Sequence, residues 1–169
     1  MRLVLSILFV SLVYTGFCQN PIKVNQFGYR PNDNKVAVLS DPQFGFNASE
    51  SYTPGSTLEL KRKIDNVVVY SSAPVVWNNG NIHDQSGDKV WWFDFSTITD
   101  EGEYYIYDPS TAISSYSFLI SNTAYNDVLK QVMRAFYYQR SGVVKPAPYA
   151  ESGWSDIESF QGSDQDCQQ

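Results

Sequence analysis

Short apolar runs separated by turn-forming residues fill positions 21 to 120 and limit what this chain can fold into. Several runs alternate apolar and polar residues, as in TLELKRK (57–63), where Leu58 and Leu60 share one face. A period of two is typical of a strand with one buried face. No helical period interrupts the series. The predicted strands are 22–25, 35–40, 57–63, 67–71, 74–77, 90–95, 103–107 and 115–120.

This pattern predicts a mainly β fold, an antiparallel sandwich of the immunoglobulin-like type. Asp65-Asn66 predicts a hairpin between the third and fourth strands. The segment DEGEYYI (100–106) predicts a tyrosine corner, in which the hydroxyl of buried Tyr104 bonds to backbone just upstream. Ile106 stands where an antibody domain has a cysteine, so we expect the core to hold by packing alone, with Trp77 or Trp91 as a core filler.

One helical period follows the strands. Its apolar residues fall at alternating spacings of three and one and form a continuous stripe, namely Tyr125, Val128, Leu129, Val132, Met133, Phe136 and Tyr137. Asn122 or Thr123 is the predicted N-cap, and Gly142 lies past the predicted end. Such a stripe has to be buried. Either the sandwich or a helical domain further along the chain could bury it.

The first 18 residues predict a secretory signal peptide. Arg2 gives a basic start, residues 3–13 are almost all apolar, and Gly16 lies two places before a cut after Cys18. The apolar run is short for a membrane span, which needs about 20 residues. We therefore expect a secreted protein, extracellular or periplasmic, with no membrane span. Acylation of Cys18 is the alternative, and the bulky Phe17 disfavours it.

The charge balance and the number of cysteines limit which partners and which disulfides are possible. The chain has 12 Lys and Arg against 18 Asp and Glu, and loss of Arg2 with the signal makes it more negative still. This balance argues against nucleic-acid binding, which needs a basic patch. Cleavage after Cys18 leaves Cys167 as the one cysteine of the mature chain, so it would contain no internal disulfide.

Few residues in the sequence suggest a metal site or a catalytic acid–base pair. His83 is the only histidine, and the nearby DQSGD lacks calcium-loop spacing, so we predict a polar turn and no metal or cofactor. The acidic pairs of the tail predict a solvated loop, because nothing near them would desolvate one carboxyl and raise its pKa. These pairs are Asp156 with Glu158 and Asp164 with Asp166.

Three segments carry a family resemblance. VNQFGYRPNDNKVAVL (24–39) and SGDKVWWFDFSTITDEGEYYIY (86–107) resemble the two halves of the immunoglobulin-like domain that precedes the catalytic domain in glycoside hydrolase family 9. YNDVLKQVMRAFYYQRSG (125–142) resembles the first helix of that family's catalytic domain. The segments occur in the family's order. After the signal peptide predicted at 1–18, the resemblance implies the sandwich at 21–120 and the truncated start of an (α/α)6 toroid at 122–169.

The resemblance also implies an activity. Family 9 enzymes hydrolyse internal β-1,4-glucosidic bonds with inversion, using a carboxylate pair in an Asp-Ala-Gly-Asp segment and a distant glutamate. This chain has no Asp-Ala-Gly-Asp, so no catalytic residue is assigned and we expect it to be inactive alone. The implied partners are a β-1,4-glucan and the rest of the catalytic domain.

The tryptophans invite a sugar-binding hypothesis. Trp154 is the predicted substrate-binding residue, as part of the cleft wall in a whole enzyme. Strand alternation points only one of Trp91 and Trp92 inward. The outward ring would stack on a glycan or be covered by another domain, and we favour cover. A freestanding carbohydrate-binding or adhesion module is the alternative function, and a spacer without a ligand is a third.

Overall fold

The computed structural model describes residues 20–140, 142–151 and 153–155. Over these residues the chain forms nine β-strands followed by one α-helix. The elements are β1 (Ile22–Lys23), β2 (Val36–Pro42), β3 (Leu58–Arg62), β4 (Val68–Ser72), β5 (Val75–Val76), β6 (Asp88–Asp94), β7 (Gly102–Asp108), β8 (Ile113–Ser114), β9 (Phe118–Ile120) and α1 (Asn126–Tyr138).

The strands form two antiparallel sheets. One has the order β1-β2-β6-β5, and the other has the order β4-β3-β7-β8, with β9 also paired to β7. The predicted mainly β sandwich is therefore confirmed. The β3–β4 hairpin is confirmed too, and Asn66 in its turn has a φ of 58°, a left-handed conformation that asparagine tolerates.

The core lies between the sheets. Its aromatic centre is Tyr29, whose ring packs edge-on against Phe95 and against Phe118, both at 5.3 Å between centroids. The buried apolar side chains of the strands come from both sheets, namely Ile22, Ala37, Leu39, Leu58, Leu60, Phe93, Phe95, Tyr104, Ile106, Phe118 and Ile120. The alternation of Leu58 and Leu60 thus marks a buried face, as predicted.

The two adjacent tryptophans of β6 point to opposite sides. Trp91 packs against the core, whereas Trp92 is 46% exposed on the outer face. Of the two predicted candidates, Trp91 is therefore the core filler, and Trp77 is not part of the core. It begins a 3-10 turn, Trp77–Gly80, after a strand β5 that is shorter than predicted. Asn78 and Asn79 adopt positive φ there, and this ends the extended backbone.

The predicted tyrosine corner is confirmed. Tyr104 is buried, and its hydroxyl donates to the carbonyl oxygen of Asp100 at 3.0 Å. The hydrogen bond satisfies the one polar atom of a side chain that otherwise fills the core. It ties the start of β7 to the connection that precedes it.

The predicted strand 115–120 is divided in the structure. Ser115 separates β8 from β9, because its hydroxyl accepts the backbone N–H of Ile106 at 2.9 Å and donates to the carbonyl of Tyr116 at 2.7 Å. A side chain that takes up a ladder donor interrupts regular pairing. The chain therefore pairs with β7 in two short pieces.

Lys35 is a fully buried cation. Its Nζ donates to the carbonyl oxygens of Pro31 at 2.6 Å, Asp33 at 2.9 Å and Ser96 at 3.1 Å. Burial lowers the pKa of Lys35 below its ordinary value. The three carbonyls satisfy the three ammonium donors and join the turn before β2 to the end of β6.

Asp108 is a fully buried anion at the end of β7. It accepts hydrogen bonds from the Tyr52 hydroxyl at 2.8 Å, from the Gly55 N–H at 3.0 Å, and from both the N–H and the hydroxyl of Ser110. Burial alone would raise the pKa of Asp108, but these hydrogen bonds outweigh it and hold that pKa below its ordinary value. The network anchors the long 43–57 connection to the second sheet.

The helix begins later than predicted. Its N-cap is Tyr125, with no side-chain capping hydrogen bond, so the predicted caps Asn122 and Thr123 are wrong. Both residues lie in the preceding turn, where the Asn122 backbone and side chain donate to Glu101 and the Thr123 N–H donates to the Ser121 hydroxyl. These hydrogen bonds compete with a helical start. Gly142 follows the helix with a φ of 68°.

Candidate docking face and tail site

The apolar side of α1 faces outward. Leu129 is 61% exposed, Val132 47%, Met133 59% and Phe136 64%, and no residue of the helix is buried. We call these four residues the helix face. The sandwich does not cover it. Contiguous exposed apolar side chains of this size are typical of an interaction surface.

The start of the helix is fixed to the sandwich by a helix root, which we define as Asn25, Gly28 and Tyr125. The Tyr125 hydroxyl accepts from Asn25 Nδ2 at 2.8 Å and donates to the Gly28 carbonyl at 3.1 Å. Gly28 has a φ of 95°, and a Cβ there would collide with the Leu119 carbonyl. Glycine is therefore required for the close approach of this turn to β9.

The segment after the helix returns to its polar side. Arg134 Nη2 lies 2.7 Å from the Glu151 carboxylate, and the Glu151 N–H donates to the Tyr138 hydroxyl at 3.1 Å. These hydrogen bonds, first from the Glu151 backbone and then from Arg134, lower the pKa of Tyr138. The hydroxyl of Tyr138 thus accepts from two donors. Arg134 and Tyr138 of the helix thus form one polar cluster with Glu151 of the segment that follows it.

Trp154 lies beside this cluster. Its ring centroid is 5.8 Å from that of Tyr138, and the side chain is 64% exposed. The two rings border a shallow depression of about 260 Å³, lined by Gln131, Arg134, Ala135, Tyr138 and Trp154. Flat rings beside a guanidinium and an amide can contact the apolar face and the hydroxyls of a sugar. The predicted residue Trp154 thus lies in the wall of this depression.

The remaining sequence-predicted features are dispersed. His83 lies in the connection before β6 and does not line the depression at Trp154; the Ser86 N–H donates to its Nδ1 at 3.2 Å. The signal segment, Cys18, Cys167 and the acidic pairs of 156–166 lie outside the described residues. In the part of the chain that the structure describes, no set of three or more His, Cys, Asp or Glu residues is arranged to hold a metal ion.

Two structural features had no sequence signal. The Arg134–Glu151 ion pair joins a helix to an aperiodic tail, and neither residue stands out by type or spacing. The helix root joins residues about 100 positions apart, which no local pattern reveals. Among the described helices, none is long and apolar enough to cross a bilayer.

Comparison with known proteins places these features in a family. A cellodextrinase of Butyrivibrio fibrisolvens is 33% identical over 122 residues, covering 72% of this chain and 19% of the relative. A cellulose 1,4-beta-cellobiosidase of Acetivibrio thermocellus is 31% identical over 151 residues, covering 84% of this chain and 15% of the relative. The chain thus spans less than a fifth of these curated relatives.

Comparison with solved structures points to the same family. A metagenome-derived glycoside hydrolase family 9 endoglucanase superimposes with a TM-score of 0.57 at 32% identity, over 76% of this chain and 23% of that one. A Bacteroides ovatus GH9 protein, at 21% identity and a TM-score of 0.63, shares the fold over 83% of this chain and 22% of its own. The family described as "Cellulase N-terminal ig-like domain" matches residues 18–111. Because that match covers more than half of the chain, the chain belongs to the family of cellulase N-terminal ig-like domains.

Proposed function

We propose that this chain is the amino-terminal part of an exported family 9 glycoside hydrolase, an endo-β-1,4-glucanase that degrades cellulose or a related β-glucan. The named activities of its relatives support this proposal, since they include a cellodextrinase, a cellobiosidase and an endoglucanase. Its first 18 residues serve as the signal peptide, residues 21–120 form the supporting sandwich, and residues 122–169 begin the catalytic domain.

The observation that carries the proposal is the exposed helix face. Full burial of a large apolar side chain contributes about 1.5–3 kcal/mol, and these four residues start half to two-thirds exposed. Covering them with further helices of a catalytic toroid would stabilise the assembly by several kcal/mol. The sandwich then fixes the first helix of that toroid through the helix root.

The hydrolysis is proposed to use carboxylates outside this chain. An inverting glycosidase needs an acid and a base about 6.5–9.5 Å apart, with room for a water molecule. The chain has no Asp-Ala-Gly-Asp segment to supply the base. Its direct contribution to substrate binding is proposed to be Trp154, as a stacking surface at the edge of the cleft.

Reducing-sugar release from carboxymethylcellulose tests the proposal on two proteins. We expect the 169-residue chain to be inactive and the full-length product of its gene to be active, with the α-anomer formed first in a proton NMR time course. Turnover by the short chain would overturn the assignment of catalysis elsewhere. An inactive full-length product would overturn the hydrolase assignment itself.

A substitution at Trp154 tests its role within the full-length enzyme. Trp154→Ala should raise KM for a soluble β-glucan by about fivefold, because loss of a stacking ring weakens binding by about 1 kcal/mol. Trp154→Phe keeps a flat ring and should restore most of the affinity. An unchanged KM in the alanine variant would remove Trp154 from the substrate site.

A further inference from the structure

The outer face of the sheet β1-β2-β6-β5 carries a continuous row of side chains. Across the four strands, Val75 lies opposite Trp92, Trp92 opposite Val38, and Val38 opposite Lys23. Paired residues in antiparallel strands point to the same side. Trp92 is therefore the aromatic centre of a flat outer surface, flanked by aliphatic side chains and ending in a cation.

Two open depressions meet at one edge of this surface. The larger, of about 860 Å³, is lined in part by Phe44, Asn78, Asn81 and Gln85, and the smaller, of about 310 Å³, has Trp92 in its wall. Trp77 and His83 line both, with ring centroids 5.5 Å apart. Together the depressions make one groove with the Trp77–His83 pair at its middle. We call it the edge groove.

The polar groups of the edge groove suit a neutral ligand rich in hydroxyls. The Ser86 N–H donates to Nδ1 of His83, which leaves Nε2 as the ring nitrogen that could hydrogen-bond to a ligand. The amides of Asn78, Asn81 and Gln85 each offer both donors and acceptors. Charged side chains in the groove are Asp84, Asp88 and Lys23, a net negative set that disfavours an anionic ligand.

We propose that the edge groove is an accessory binding site for a neutral glycan chain, separate from the catalytic cleft. The partly exposed Trp92 and Trp77 rings would stack on apolar pyranose faces, and the amides and His83 would bind the hydroxyls between them. The choice of a β-1,4-glucan as the ligand rests on the proposed function. Such a site would keep the enzyme bound to its polysaccharide during hydrolysis in the catalytic cleft.

The middle of the groove lies away from the helix root. The helix root joins α1 to Asn25 and Gly28, just after β1. The Trp77–His83 pair at the middle of the groove follows β5, at the opposite edge of the same sheet, whereas Lys23 of β1 lines the far end of the groove. Three strand spacings of about 4.8 Å separate the two edges by about 14 Å. A domain that follows α1 would therefore approach the β1 side of the sheet.

Isothermal titration of the 169-residue chain with cellohexaose tests the site. We expect Trp92→Ala and Trp77→Ala each to weaken binding about tenfold, a loss of about 1.4 kcal/mol. Trp92→Phe should recover most of the affinity because it keeps a flat ring. Tyr116→Ala is the matched control, since it removes an exposed aromatic ring that lines neither the edge groove nor the depression at Trp154, and Trp154→Ala reports any binding at that depression. Circular dichroism confirms that each variant is folded, and Trp77 provides a second test if Trp92→Ala unfolds.

Three results would overturn the proposal. The first is the absence of a binding heat when cellohexaose is titrated into the wild-type chain. The second is loss of binding in Trp154→Ala but not in Trp92→Ala or Trp77→Ala. The third is tighter binding of an acidic oligogalacturonide than of cellohexaose. These results are distinct from a failure of the proposed function, because binding is measured without hydrolysis. A full-length enzyme that hydrolyses glucan while both groove variants bind normally would refute the accessory site alone.

Discussion

Tyr125 and Asn25 are hydrogen-bonded across 100 residues of sequence, with the Tyr125 hydroxyl 2.8 Å from the Asn25 side-chain amide. The bond connects the first residue before the helix to the turn just after the first strand. Since the same hydroxyl donates to Gly28, one side chain sets where α1 leaves the sandwich. The direction of the helix is thus encoded in the sandwich.

Replacing Tyr125 should loosen the helix root without unfolding the sandwich. Tyr125→Phe removes both hydrogen bonds, worth about 1–2 kcal/mol in total. Hydrogen exchange at the amides of Ala124 and Leu129 should become about 5- to 30-fold faster. The control is Tyr149→Phe, whose side chain is exposed. Unchanged exchange in Tyr125→Phe would show that the hydroxyl does not hold the helix.

Removing the tyrosine-corner hydroxyl should lower global stability. In Tyr104→Phe the Asp100 carbonyl loses its 3.0 Å donor, and we expect the free energy of unfolding to fall by about 1–1.5 kcal/mol. Urea denaturation followed by tryptophan fluorescence measures it. Tyr107→Phe in the same strand is the control, since its ring is only partly buried. Equal losses in the two variants would argue against a special role for the corner.

The buried Asp108 should make stability depend on acid pH. Its pKa is lowered in the folded state, so its contribution is complete above the unfolded pKa of about 4 and is lost as pH falls through the folded value. We expect Asp108→Asn to lose about 2–3 kcal/mol at pH 7, because an amide cannot accept all four hydrogen bonds. The variant should also lose less stability between pH 5 and pH 2 than the wild type.

Urea denaturation at several pH values checks this expectation. Asp127→Asn, an exposed residue in the first turn of α1, serves as the control and should retain the wild-type pH profile. If Asp108→Asn follows the wild-type profile in acid, another carboxylate sets the acid sensitivity.

Polar substitutions on the helix face should reduce its affinity for apolar ligands without cost to folding. Leu129→Gln combined with Phe136→Ser removes two of its four apolar side chains, and binding of an anilinonaphthalene dye should fall by about half. Because both residues are exposed, the free energy of unfolding should change by less than about 0.5 kcal/mol. Asp127→Asn with Lys130→Gln is the matched polar control. A large destabilisation would mean that the sandwich covers this face in solution.

The fold could be predicted from the sequence where the signal was local. Leu58 and Leu60 alternate with polar neighbours, and the contrast of Trp91 with Trp92 follows directly from the strand period. The tyrosine corner was likewise visible, because its donor and acceptor lie four residues apart. In each case a short stretch of chain contains the whole physical cause.

Features that join distant segments could not be predicted. The Asn122 prediction failed because Glu101, 21 residues earlier, takes its donors. Trp77 does not fill the core because Asn78 and Asn79, both with a positive backbone φ, turn the chain after β5. Trp154 was chosen by residue type alone, and its neighbours Tyr138 and Arg134 became apparent only in three dimensions.

The return of Glu151 to Arg134 and Tyr138 has a consequence for assembly. It places the protein's own chain against Arg134 and Tyr138, on the polar side of α1, and leaves the helix face exposed. In the proposed enzyme, a helix that packs on α1 would therefore do so at the helix face.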